Sequence, residues 1–254
     1  TNDRRQRQMC IRDSFKTICG RNRRTFNFGS EKMNYILPFL SIVLGVLFVV
    51  FGIIKSHKHL KLILAFSGAF LLSTAIISLL PEVFAHSDSN VSYWILAGIV
   101  IQIILESLSK GAEHGHIHVQ DNGALPWSLF IGLSLHAFIE GLPIHEHQEL
   151  LWAIVVHKLP IAMLLAAALW KTTTSIKNKV GALLIFALIT PFGTYLHATI
   201  SILQPYAIYI TALVIGVMLH ISTTIIFESA NNHKFNASKI AMILLGLGLA
   251  ALMH

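Results

Sequence analysis

Eight long apolar stretches, nearly free of charge, decide what this chain can fold into. They run over Tyr35–Ile54, Leu62–Leu80, Val91–Leu108, Trp127–Ile144, Leu150–Trp170, Val180–Leu203, Tyr206–Phe227 and Ser238–Leu252. A helix needs about 20 residues to cross a hydrocarbon core of about 30 Å. Most of the runs have that length; the eighth is the shortest. They are continuously apolar and do not alternate with period two, so helices are expected and a barrel is not. Only 12% of the residues are charged and the mean hydropathy is +0.67, whereas soluble domains carry about 25% charged residues. The expected fold is therefore an all-α integral membrane protein of eight transmembrane helices.

The net charge of +7 suggests a nucleic-acid or anionic-lipid surface until its distribution is read. Residues 1–32 hold nine Lys/Arg against three Asp/Glu, every arginine, and both cysteines, Cys10 and Cys19. The segment Arg4-Arg5-Gln6-Arg7-Gln8-Met9-Cys10-Ile11-Arg12-Asp13-Ser14 resembles a translated sequencing adapter. Residues 1–32 are accordingly expected to be a non-native or disordered leader, with a natural start at Met33 and a transporter domain over 33–254. That domain contains no cysteine, and no nucleic-acid partner is expected.

Lysine placement gives an expected orientation. Lys55, Lys58 and Lys61 follow the first run, Lys110 the third, Lys171, Lys177 and Lys179 the fifth, and Lys234 and Lys239 the seventh. The alternate loops carry acids such as Glu82, Asp88, Glu146 and Glu149. The positive-inside rule puts the lysine side in the cytoplasm and both termini outside, in a multi-pass protein of the cell membrane.

The tenth lysine of this domain, Lys158, lies inside the fifth run beside His157; His136 and Glu140 lie in the fourth. Ionisable groups at membrane depth are expensive and commonly functional. Spacing of four puts His136 and Glu140 on one helix face, and His157 arrives on the neighbouring antiparallel helix. Two imidazoles and a carboxylate suit zinc and leave a coordination position open. Glu140 and Lys158 also make sense as a purely structural ion pair, and a lone membrane histidine, such as His197 or His220, as a helix–helix hydrogen-bond partner. Pro160 frees the carbonyl of Val156 next to His157.

Ser134-Leu135-His136-Ala137-Phe138-Ile139-Glu140-Gly141-Leu142 resembles the fourth-helix signature of the ZIP (Zrt/Irt-like) metal transporters. Val156-His157-Lys158-Leu159-Pro160-Ile161-Ala162 is similar to their fifth-helix signature in a His-Lys variant. Ser67–Leu71 with Leu79-Leu80-Pro81-Glu82 resembles the second helix, and Thr190-Pro191-Phe192-Gly193 the sixth. The resemblance covers Met33 to His254 and implies a ZIP-like bundle with a membrane metal site of His136, Glu140 and His157. Where two-metal relatives have further ligands, this chain has Ala137, Lys158 and Ile161, so the resemblance implies one ion.

Two histidine clusters flank these motifs. His145, His147 and Glu149 are candidates for collecting metal at the outer mouth, or form a solvated turn. His114, His116 and His118, in a glycine-bearing loop on the lysine side, are candidates for binding zinc after passage, or form a polar loop. The resemblance implies a carrier bringing Zn2+ into the cytoplasm, with Fe2+, Mn2+ or Cd2+ as other substrates. Its partners are the ion and the lipid bilayer, and a homodimer is left open. No Gly-x-x-x-x-Gly-Lys-Ser/Thr segment provides for ATP, and no organic cofactor is expected. The alternatives are an intramembrane zinc-dependent hydrolase, which needs a further base and oxyanion donor, and a transport-dead metal sensor. Removing residues 1–32 is expected to leave insertion and metal flux unchanged, which expression of Met33–His254 in vesicles tests.

Overall fold

The computed structural model describes residues 28–53, 57–85, 90–109, 127–228 and 236–253. Most of residues 1–32, and the loop carrying His114, His116 and His118, lie outside them. Met33–His254 forms one compact unit, which contains the architecture described here apart from the first residues of its first helix.

Every element among the described residues is helical. They are α1 (Phe28–Val50), α2 (His57–Thr74, prolonged through a π-helical turn at Ala75–Leu79 into Leu80–Ala85), α3 (Val91–Ser109), α4 (Trp127–Gly141), α5 (Gln148–Trp170), α6 (Ile176–Thr199), α7 (Ala207–Glu228) and α8 (Ala237–Leu252). Among the described residues, seven spans are long and apolar enough to cross a membrane, and α8 is a shorter apolar helix. The sixth apolar run is not one helix: α6 ends at Thr199, Ile200 is extended, and Ser201–Tyr206 winds as a 3-10 turn into α7. Pro205 in that turn explains part of the break, since proline has no N–H to continue an α ladder.

Burial divides the bundle. α5 buries 72% of its apolar window, and α2 and α7 61% each, against 28% for α1 and α3. The outer helices turn Leu96, Ile185 and Leu244 outward. Exposed leucines are costly against water but at home against acyl chains, and Tyr93, Trp127 and Tyr206, exposed near helix ends, have the amphipathic form favoured at a membrane interface.

Between helices in lipid, close backbone approach and hydrogen bonds supply what hydrophobic burial supplies in water. The α4–α6 contact is built this way. A Cβ on Gly141 would lie 2.4 Å from the Thr190 carbonyl oxygen, and one on Gly193 2.5 Å from that of Phe138. Thr190 Oγ1 donates to the Ala137 carbonyl (3.1 Å) and Thr194 Oγ1 to that of Gly141 (2.8 Å). α5 is tied to α1 similarly, Ser41 Oγ donating to the Val155 carbonyl at 2.6 Å. At the lysine-bearing end, Lys239 Nζ donates to the Ile226 carbonyl (2.6 Å) and Lys179 Nζ to that of Thr172 (2.9 Å), so cations meet carbonyls at or just past helix C-termini, the end that favours them.

Gly141→Ala and Gly193→Ala are expected to force α4 and α6 apart and to destabilise the protein by about 1–3 kcal/mol, the usual range for overpacking. Gly181, in α6, has nothing within 4 Å of an added Cβ. Gly181→Ala should be neutral or mildly stabilising, since alanine is the better helix former by up to about 1 kcal/mol. Thermal unfolding in one detergent compares the three; equal losses would show that the clamp is not what matters.

Candidate metal centre

α4 and α5 bring their ionisable residues to one buried point. His136 and Glu140 are 1% exposed, and His157 and Lys158 are fully buried. His136 Nε2 stands 2.9 Å from Glu140 Oε1, one turn apart as the spacing requires. The His157 ring faces that of His136 edge-on, 6.1 Å between centroids. One ligand atom from each of His136, Glu140 and His157 lies within 4.8 Å of the other two.

The tautomer of His136 is set from a third helix. Its Nδ1 lies 3.2 Å from Gln102 Oε1 on α3. With the amide oxygen facing the ring, Nδ1–H donates and Nε2 keeps a lone pair. That lone pair and Glu140 Oε1 are then two acceptors side by side. Neither makes a hydrogen bond of acceptable geometry, even with the other. Buried acceptors left in this way are costly, and a cation between them satisfies both. Two ligands at about 2.0–2.1 Å from a tetrahedral zinc are about 3.3–3.4 Å apart, so a shift of about half an ångström opens this pair to fit.

The second carboxylate oxygen has a separate task. Glu140 Oε2 accepts from Lys158 Nζ at 2.5 Å, and the ammonium also lies 5.9 Å from the Phe186 ring centroid, within cation–π range. Lys158 shares the helix of His157 and follows it directly. Ala137 and Ile161, both buried, add no ligand atom. The Thr190 and Thr194 bonds of the α4–α6 clamp flank Glu140 in sequence and fix the turn that carries it.

Around the loop after α4 the histidines separate. His147 Nδ1 lies 3.3 Å from Glu82 Oε2 of α2, and its Nε2 3.3 Å from Thr211 Oγ1 of α7. Glu149 begins α5. His145 meets neither in a common group; it turns to His197 on α6. His220 pairs with Glu106, Nε2 to Oε2 2.6 Å. Three of these partners escape sequence reading: Gln102 is a lone amide in an apolar helix, Glu106 is a second carboxylate within a membrane helix, and His197 gives no sign of its loop partner.

Substitution distinguishes the ion pair from the histidines. Leaving one member of a buried pair alone costs about 3–5 kcal/mol, whereas an apolar replacement of both is commonly tolerated. Glu140→Gln is expected to lose that much stability, and Glu140→Gln with Lys158→Met to recover most of it; both are read by thermal unfolding without metal. A double variant no better than the single one would show that Lys158 does not depend on Glu140.

The sequence model of a family described as the ZIP zinc transporter matches residues 106–254, more than half of the chain. No curated protein matches it.

Proposed function

The chain belongs to the ZIP zinc transporter family, a family of metal transporters, and from that premise we propose that it carries zinc into the cytoplasm through a single site formed by His136, Glu140 and His157. The observation that carries this reading is the buried pair His136 Nε2 and Glu140 Oε1, 2.9 Å apart and short of good hydrogen-bond geometry, with His157 in ligand reach. Zn2+ has no geometric demand beyond its four ligands. Two imidazoles and one carboxylate oxygen leave the fourth position to water, which suits an ion that must also leave. Fe2+, Mn2+ and Cd2+ are the competing substrates.

Lys158 sets the stoichiometry. Its ammonium occupies the space beside Glu140 that a second cation would need, and it repels one. With no ion bound, Lys158 neutralises Glu140; with one bound, the carboxylate divides its oxygens between the ion and the ammonium. A ligand already shared holds its ion less tightly, which favours release. Transport down the gradient needs no nucleotide, since an inside-negative potential contributes about 2.3 kcal/mol per charge per 100 mV.

Uptake of Zn2+, Cd2+, Fe2+ and Mn2+ into proteoliposomes holding the protein tests the reading. Zinc flux abolished by His136→Ala or His157→Ala is expected; zinc bound without flux would favour a sensor, and flux of iron or manganese alone would correct the substrate. Lys158→Ala should bind its one ion at least about tenfold more tightly and turn over more slowly, and Lys158→Glu should admit a second ion. Two deep ions in the unmodified protein, counted by anomalous diffraction, would overturn the role of Lys158.

A further inference from the structure

We propose that His145, Glu146 and His197 form a second divalent-metal site at the lysine-free mouth of the bundle, separate from the His136–Glu140–His157 centre and of zinc-type chemistry. Ligand atoms from the three residues lie within 4.8 Å of one another. The α4–α6 clamp builds the site. After Gly141 the chain winds through a 3-10 turn, Leu142–His145, which delivers His145 to the last turn of α6, where His197 sits. The rings stand 4.9 Å apart at 65°, and their Nδ1 atoms are 3.4 Å apart.

That distance is informative. Two nitrogens bound at about 2.0–2.1 Å to one tetrahedral zinc are separated by about 3.3–3.4 Å, so the nitrogens already span the edge of a zinc tetrahedron. Against one another they make at best a long hydrogen bond, since the usual N–H···acceptor distance is about 2.9–3.0 Å. Glu146 offers a carboxylate oxygen within 4.8 Å of the ligand atom of each histidine, within reach as a third ligand.

Exposure grades across the site in the direction that capture requires. Glu146 is 30% and His145 23% exposed, while His197 is fully buried. His197 Nε2 makes no hydrogen bond of good geometry, although the Leu142 carbonyl interacts with the ring. The Gln204 side chain donates to the His197 carbonyl at 2.8 Å, bracing the end of α6. An ion entering here meets a carboxylate and an imidazole at the surface and a buried imidazole behind them. His145 belongs to the segment that closes α4, the helix carrying His136 and Glu140. As a binding site the cluster stands on its own geometry; its role in loading the deeper centre rests on the transport reading.

Zinc titration by calorimetry, on full-length protein in detergent with His114, His116 and His118 changed to alanine, tests the site. Two classes of bound zinc are expected. His145→Ala and Glu146→Gln should each weaken one class at least about tenfold, the usual effect of disturbing even the surroundings of a metal ligand, and leave the other untouched. His136→Ala with His157→Ala should remove the other class alone. His197→Ala should match His145→Ala; if it fails to fold, the partly exposed His145 decides. A folded, monodisperse His145→Ala protein with an unchanged isotherm would overturn the site. Loss of zinc flux with this binding class intact would instead count against the transport reading and spare the site.

Discussion

A lysine ammonium with no access to water must find an anion, and in this bundle that requirement fixes the centre. Lys158 is fully buried, and Glu140 answers it at 2.5 Å. Separating the two in an apolar interior costs more than any single packing contact supplies, so α4 and α5 cannot rotate or slide independently at this level. The rest of the site follows from that registration. With Glu140 turned to Lys158, its second oxygen faces His136, one helical turn away; Gln102 holds the imidazole from α3, and His157 enters beside it. The threonine bonds and paired glycines of α6 then clamp the turn of α4 that carries the carboxylate.

Charge is handled differently at the ends of the bundle. Lys179 and Lys239 meet carbonyls at or just past helix C-termini, an interaction any lysine near a helix end can make. His147, Glu82 and Thr211 link α2, α5 and α7 at the opposite end. The buried centre is thus the one place among the described residues where a lysine and a carboxylate meet fully withdrawn from solvent, and there the carboxylate has an oxygen to spare.

Much of this was legible in the chain itself. Helix type and number follow from the unbroken apolar runs, and the starts of α3 and α4 fall where the first apolar residues stand. The i, i+4 relation of His136 and Glu140 and the position of His157 and Lys158 on the next helix are local facts, so periodicity reaches them. What pattern cannot reach is partnership across long separations. Gln102 lies 34 residues from His136, His145 lies 52 from His197, and Glu106 lies 114 from His220. A polar residue in an apolar run announces that it needs a partner, not which one. The mouth histidines show the result: His145, His147 and Glu149 look like one cluster on paper, yet the 3-10 turn sends His145 and His147 to different helices. The end of the sixth run was hidden for a related reason, since Ile200, Ile202 and Leu203 stay apolar while the helix stops at Thr199.

The π-helical turn at Ala75–Leu79 has a consequence for how this sequence tolerates insertion and deletion. A π turn holds one residue more than the regular ladder, and in an α-helix each residue advances the face by about 100°. Beyond it lies Leu80–Ala85, which carries Glu82 to His147. Losing a single residue from this turn would restore a regular ladder and leave Leu80–Ala85 near its present phase, whereas losing one from the α-helical turns beside it would swing everything after it around the axis by about 100°, away from His147. Substitutions at Ile76 and Ile77 alter a surface, those at Ala75 and Leu79 the core; a change of length by one residue is absorbed by the turn. Descendants of this sequence should therefore vary more freely at Ile76 and Ile77 than at Ala75 and Leu79, and should tolerate loss of a residue in that turn better than in the helix around it.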